Sequence, residues 1–264
     1  MFKNCYEFKE VCLDKNNYLN NSLSCTYVIH LKNNGRYNSI IKQLNLFQPT
    51  SKLYILFNYG YKKCRKKNIT SSNLDLIDCY LTIFKHANNN NFGNILILED
   101  DFIFSDSIKD IDICANINSY INYNKNEYVY MLGCLPTMYM GFGNHKKIII
   151  SLGTHAVIYS ALFVKNHNKD LTKIYDWDSY LRGYNKMMYY KPLCYQLFTD
   201  TENSNNWTPN LNTTIIKFLI KKFNLDKDIK GYETFYFFAN ISFYILILLI
   251  IITSYLCLKY FKST

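Results

Sequence analysis

Hydrophobic and polar positions change period several times along the chain, and each change marks an element. Thr26 to Leu31 (TYVIHL) and Lys52 to Asn58 (KLYILFN) are short β-branched and aromatic runs bounded by Asn, Gly and Pro, the pattern of strands. Between them SIIKQLNLF has helical spacing at Ile40, Leu44 and Phe47, so the three segments predict a βαβ unit. Ser72 with Asp75 three residues on matches a capping box. Leu74, Ile77, Leu81 and Phe84 continue one face of a second helix, which the polar stretch 88–93 ends. NILILEDDFIF, residues 94–104, contains an apolar run too short for a helix core and reads as a buried parallel strand. Further strands are predicted at Tyr128 to Leu132 and Lys147 to Ser151, separated by a glycine-rich loop from Gly133 to Gly143. A mixed, Tyr-rich region then runs to about Trp207. The first 23 or so residues show no clear period, and residues 1–24 read as an irregular lead-in. Alternating strands and helices predict an α/β domain over 25–210, a Rossmann-type, mostly parallel sheet with helices on both faces.

The pattern changes again near the end. Between Glu233 and Lys259 no residue is charged, and NISFYILILLIIITSYLCL is dense in Ile and Leu. This exceeds the roughly 20 residues needed to cross a hydrocarbon core, so 234–258 reads as a single C-terminal transmembrane helix with Tyr232, Tyr236 and Tyr260 as interfacial anchors. Lys217, Lys221, Lys222, Lys227 and Lys230 make 211–233 a basic juxtamembrane segment, while the short tail 259–264 holds only Lys259 and Lys262. The positive-inside rule then expects the body of the protein on the cytoplasmic side. MFKNCYEFKEVCLDKNN is charged throughout and offers no apolar core for a secretory signal. The expectation is a tail-anchored membrane protein.

Composition narrows the partners. The net charge of +10 admits a nucleic acid, a membrane surface or an anionic substrate, but Lys is scattered and no arginine-rich patch appears, so no nucleic acid partner is expected. The nine cysteines form no CxxC pair, which excludes a zinc ribbon and a thioredoxin motif, and free thiols in a reducing compartment are expected. There is no P-loop and no Gly-x-Gly-x-x-Gly.

The chemistry concentrates at Glu99, Asp100 and Asp101. Carboxylates massed at the carboxyl end of a parallel strand lie where open α/β sheets bind ligands, and three adjacent acids repel one another unless a cation is shared. Alternate strand residues point the same way, which puts Glu99 and Asp101 on one face. A solvated acidic turn is the alternative. Hard cations such as Mn2+ or Mg2+ favour such oxygens and would neutralise a leaving diphosphate. The same acids could serve a phosphoryl or nucleotidyl transferase, or survive on a binding scaffold built from a decayed transferase.

Four segments in order resemble glycosyltransferase family 25, the lipopolysaccharide and procollagen galactosyltransferase group. YVIHLKNNGR is similar to its opening "I-x-L, then Arg"; ILILEDDFIF to its "vLEDD" strand; LGTHAVIYS, Leu152 to Ser160, to its "G-t-x-A-Y-x-I-S"; and DWDSYL, Asp176 to Leu181, to its "V-D-x-x-L". The resemblance implies a GT-A fold, a nucleotide-sugar donor (a UDP-sugar first), a divalent metal and inverting transfer of a hexose, galactose or glucose, to a hydroxyl on a glycan, protein or lipid. It assigns Glu99 and Asp101 to the metal and donor, with Asp100 in the same loop. Asp178 is the candidate base and Asp176 the second, although both could simply cap a helix near Ser179. Arg36 is a candidate for the nucleotide diphosphate or else an exposed turn arginine, and His155 a candidate for the metal shell or the diphosphate or else a hydrogen-bonded structural residue. Tyr189, Tyr190, Tyr195 and Trp207 offer sugar-stacking faces or core packing, and Glu202 is a spare base. The chain departs from the family pattern at His30, where Asn is usual, at Val157, where Tyr is usual, and in the helix from Ser72, which lacks "G-C-x-x-S-H".

Overall fold

A computed structural model describes residues 5–12, 18–167, 174–196, 211–225 and 229–263. Its centre is a seven-stranded sheet built from β1 (Tyr6–Val11), β2 (Cys25–Leu31), β3 (Leu53–Asn58), β4 (Ile95–Glu99), β6 (Val129–Met140), β7 (His145–Tyr159) and β8 (Lys186–Tyr189), in the order β1-β3-β2-β4-β7-β6-β8. β2 pairs in parallel with β3 and β4, and β6 with β8. β1 and β7 run against their neighbours. The sheet is thus mixed but mostly parallel in direction, in an α/β fold.

Strand alternation explains the layers. Cys25, Tyr27 and Ile29 of β2 share a core with Ile77, Tyr80 and Phe84 of α2 (Ser72–Asn89) and Phe163 of α4 (Ala161–Asn166). Val28, Leu96 and Leu98 point to the other face, packing with Ile40 and Leu44 of α1 (Tyr37–Leu46) and Ile113 and Ile117 of α3 (Ile111–Tyr123). Helices therefore cover both faces, as β-strand periodicity requires when neither face is wet. A separate ribbon pairs β5 (Phe102–Phe104) with β9 (Cys194–Gln196).

Four details differ from the sequence expectation. Residues 6–11, within the supposed lead-in, form an edge strand paired with β3. That pairing carries Cys5 beside Tyr59, whose N–H donates to its carbonyl, and Cys5 is disulfide-bonded to Cys64 rather than free. The glycine-rich loop is instead the body of β6, paired with β7 as far as Met140. Gly133 is there because a Cβ would lie 1.9 Å from the Cys194 carbonyl oxygen and 2.4 Å from His155 Nε2. Finally, Ser71 rather than Ser72 caps α2, accepting from Leu74 N, and Asp75 is buried in an ion pair with Lys66.

The C-terminal helix runs Ile229–Ser263, and 229–258 are long and apolar enough to cross a membrane. Its first turns belong to the domain. Tyr232, Phe235, Tyr236 and Ala239 are buried, Tyr236 OH donates to the Cys134 carbonyl at 3.0 Å, and Tyr232 OH meets the Gln196 backbone. Tyr232 and Tyr236 are therefore docking residues and not interfacial anchors. From Tyr244 to Leu258 most large apolar side chains are exposed.

Candidate active site

β2, β3 and β4 end in Leu31, Asn58 and Glu99, and a cleft of about 990 Å³ opens at these carboxyl ends. The location follows from topology: from β2 the chain crosses by α1 to β3 on one side, and α2 brings it back over the opposite face to β4 on the other, leaving a crevice at the reversal. The cleft wall gathers six of the charged sequence candidates, Arg36, Glu99, Asp100, Asp101, Asp176 and Asp178. His155 is not among its lining residues.

The triplet splits into two roles because the strand ends at Glu99 and the chain turns. Asp100 accepts from Leu31 N at 3.1 Å, from Arg36 Nη1 at 2.8 Å and from Asn34 Nδ2. Burial alone would push its pKa up, but the His30 and Arg36 interactions outweigh it and hold the carboxyl below its usual value. Asp100 therefore fastens the β2–α1 loop and keeps Arg36 in place. Arg36 Nη1 is also 3.2 Å from Asp101 Oδ2.

Glu99 and Asp101 are in the opposite condition. Glu99 Oε1 accepts from Tyr80 OH at 2.8 Å and Thr154 Oγ1 at 2.9 Å, yet burial and the charges of Asp101 and Asp178 push its pKa up to about 8. Burial also raises Asp101, against the pull of a hydrogen bond from Gln196 Nε2 at 2.9 Å. The β5–β9 register sets Phe102 opposite Gln196 and so brings that amide to Asp101. Asp101 Oδ1 is buried with no hydrogen-bond partner.

Asp178 enters from α5 (Trp177–Tyr180). Trp177 wedges this short helix into the core, stacked on Tyr80 at 4.6 Å and donating from Nε1 to Tyr159 OH at 2.8 Å. Asp178 Oδ2 accepts from Gly153 N at 3.0 Å, and burial raises its pKa. Asp176 is the N-cap of α5, its Oδ1 accepting from Ser179 N at 2.7 Å. His155 lies behind the wall, Nε2 on the Cys194 carbonyl at 3.2 Å, and burial lowers it to about 4.

Three buried carboxylates, with Arg36 beside one oxygen of Asp101 and its other oxygen unpaired, suit a hard cation. Among the described residues no group of three His, Cys, Asp or Glu closes a metal shell. The set fits the kind of site in which one or two carboxylates hold Mg2+ or Mn2+ and substrate phosphates finish the coordination. The rim fits phosphate as well: Lys32, Lys62, Lys63, Lys217 and Lys221 join Arg36 around the cleft. A buried network holds part of that rim. Asp75 Oδ2 accepts from Asn58 Nδ2 at 3.0 Å and Tyr61 N at 3.1 Å, and its other oxygen pairs with Lys66, fixing the loop that carries Lys62 and Lys63.

Sequence reasoning missed Tyr80, Thr154 and Gln196, which hold the acids, and the lysines of the β3–α2 loop. Tyr189 and Tyr195 are buried, away from the cleft, whose aromatic lining is Tyr59, Tyr61, Trp177 and Phe218. Glu202 and Trp207 lie outside the described residues.

No protein-family model matches the sequence, and no curated protein matches it. Among solved structures, the fold is similar to a glycosyltransferase involved in the glycosylation of the major capsid of PBCV-1, at TM-score 0.40 and 9% identity, covering 67% of this chain and 94% of that one. It is also similar to a protein described as a glucose-1-phosphate thymidylyltransferase from Bacillus anthracis in complex with sucrose, at TM-score 0.32 and 13% identity, covering 71% and 79%.

Proposed function

We propose that this chain is a membrane-anchored, metal-dependent glycosyltransferase of the family 25 type, moving a hexose from a nucleotide-sugar donor to a hydroxyl acceptor with inversion. The observation that carries the reading is the meeting of Glu99, Asp101 and Asp178 in one cleft rimmed by six cationic side chains, at the carboxyl ends of parallel strands. Glu99 and Asp101 are the residues to hold Mn2+ or Mg2+. When bound, the ion would neutralise charge developing on the leaving diphosphate. Arg36 and the rim lysines bind the same diphosphate from the side, with Arg36 oriented by Asp100. Galactose or glucose on UDP is the first donor to test.

The chemical step needs a base. Asp178, whose pKa burial raises, takes the acceptor hydroxyl proton as that oxygen attacks the anomeric carbon and the bond to the diphosphate breaks. Asp176 is the weaker choice because its Oδ1 is engaged at the helix cap. His155 supports the wall through Cys194 and acts on the donor only by positioning. The acceptor is a glycan, protein or lipid hydroxyl.

The helix Ile229–Ser263 is the proposed single C-terminal span, and the Lys217–Lys230 flank favours a domain on the cytoplasmic side. The Cys5–Cys64 bridge pulls toward an oxidising compartment, so topology needs its own measurement. Activity is tested on the full chain in detergent, because Tyr232, Phe235, Tyr236 and Ala239 are part of the core. Release of nucleoside diphosphate from a nucleotide-sugar panel should require Mn2+ and vanish in Asp101→Asn, while Asp178→Asn should keep Mn2+-dependent donor binding and lose turnover. A folded protein silent across the panel would sink the transferase reading.

A further inference from the structure

We infer that Glu127, His167 and Tyr180 form a strut that aims Asp178; they are positioning residues for the transfer, and the inference rests on the base role proposed for Asp178. α5 cannot hold itself. It is a single turn, Trp177–Tyr180, closed by the backbone bond from Tyr180 N to the Asp176 carbonyl at 3.0 Å, and so short a helix has no stability of its own in water. Its direction is set by what its side chains grip on either side of Asp178. The stack of Trp177 on Tyr80 and its bond to Tyr159 fix one edge of the turn, and a turn held at one edge can still pivot.

Tyr180 supplies the other hold. Its OH is 2.6 Å from His167 Nδ1, and His167 Nε2 is 2.5 Å from Glu127 Oε1, so both ring nitrogens are engaged. An ionised carboxylate only accepts, so Nε2 carries a proton and donates to Glu127. Nδ1 of a ring with that single proton accepts from Tyr180 OH, whose oxygen accepts in turn from Tyr184 OH at 3.0 Å. The imidazole is itself restrained, packed on Phe163 at 4.3 Å and on Tyr184 at 4.9 Å. This chain of bonds ties α5 to the C-cap of α4, which is His167, and to the loop that leads into β6.

Glu127, His167, Tyr180 and Tyr184 are half-buried, and none of them lines the cleft. Any effect they have on the reaction therefore passes through α5. A directional chain fixes the rotation of the turn, and the place of the Asp178 carboxyl depends on that rotation. A displacement of about 1 Å at a reacting group can cost about 100-fold in rate.

Gly153 is the reporter. Its N–H donates to the Asp178 carboxylate, so its hydrogen exchange reads the aim of Asp178 with no turnover required. In the full chain in detergent, Tyr180→Phe keeps the ring beside Trp177 and removes the oxygen. It is expected to speed exchange at Gly153 and across 176–184, and to lower kcat by roughly 10–100-fold with the donor KM unchanged. Glu127→Leu should act in the same way, and Glu127→Gln, whose amide oxygen still accepts from Nε2, should recover most of what Glu127→Leu loses. Exchange at Gly153 equal to the parent's in both Tyr180→Phe and Glu127→Leu overturns the strut and leaves the transferase reading, which the parent's turnover carries, intact. A donor KM that rises as kcat falls also overturns it, since the whole cleft has then shifted. Faster exchange in variants of a parent that turns over no nucleotide sugar ends the transferase reading, and the strut's part in transfer with it.

Discussion

Gln196 holds Asp101 of the acidic pair, and a linear reading could not find it. Glu99 and Asp101 stand out because consecutive carboxylates after an apolar run are visible in the sequence. The amide that holds Asp101 comes from β9 and reaches it only through pairing with β5. Outer partners of metal carboxylates commonly set affinity, so Gln196→Leu is expected to weaken Mn2+ binding by roughly 10–100-fold while the protein stays folded. Isothermal titration with Mn2+ checks this, and unchanged affinity would remove Gln196 from the site. The charges also set a pH dependence. Glu99 is raised from 4.5 to about 8 in the folded state, so across that window the native protein binds the extra proton and stability falls as pH rises. A cation held there, as proposed, would replace that proton. The rise in melting temperature on adding Mn2+ should therefore be larger above pH 8 than well below it, and a pH-independent rise would contradict the carboxylate assignment.

Among the elements, those with a strong single period were legible and those defined by partners were not. β2, β3, β4, α1 and α2 show their character in local spacing. β1 does not, because YEFKEV is a half-exposed edge strand whose partner is β3. The stretch from Gly133 to Gly143 looked like a loop because its glycines serve close packing against Cys194 and a tight turn, neither of which spacing reveals. Asp75 suggested a capping box by position, yet its carboxylate joins β3 to the loop before α2 through Asn58, Tyr61 and Lys66. Removing one partner of such a buried pair strands the other charge, so Lys66→Met should destabilise by about 3–5 kcal/mol. Adding Asp75→Leu should recover part of that loss, read in thermal or denaturant melts. A simple sum of the two losses would show that the ion pair is not the feature that matters.

At the scale of the whole molecule, the α/β class and an apolar C-terminal helix were readable from the alternation of periods and from the uncharged run. The docking of that helix was not, since Tyr232 and Tyr236 look the same in sequence whether they face lipid or the domain core. Topology is decided by Asn20 and Asn68, which begin Asn-x-Ser/Thr triplets and are exposed. A domain on the basic, cytoplasmic side leaves both unglycosylated in a eukaryotic cell expressing the full chain. A mobility shift removed by glycosidase would reverse the orientation and agree with the Cys5–Cys64 bridge. The helix has a further consequence. An enzyme on a long tether sweeps a hemisphere of solution, but here the anchor's opening turns are part of the core, and Tyr232 touches the strand whose Gln196 bonds to Asp101. With the helix spanning a membrane as proposed, the cleft would be held at one height and one tilt above it, and membrane-borne acceptors would meet it by lateral diffusion. Turnover should follow their crowding per unit of membrane area rather than their concentration in bulk.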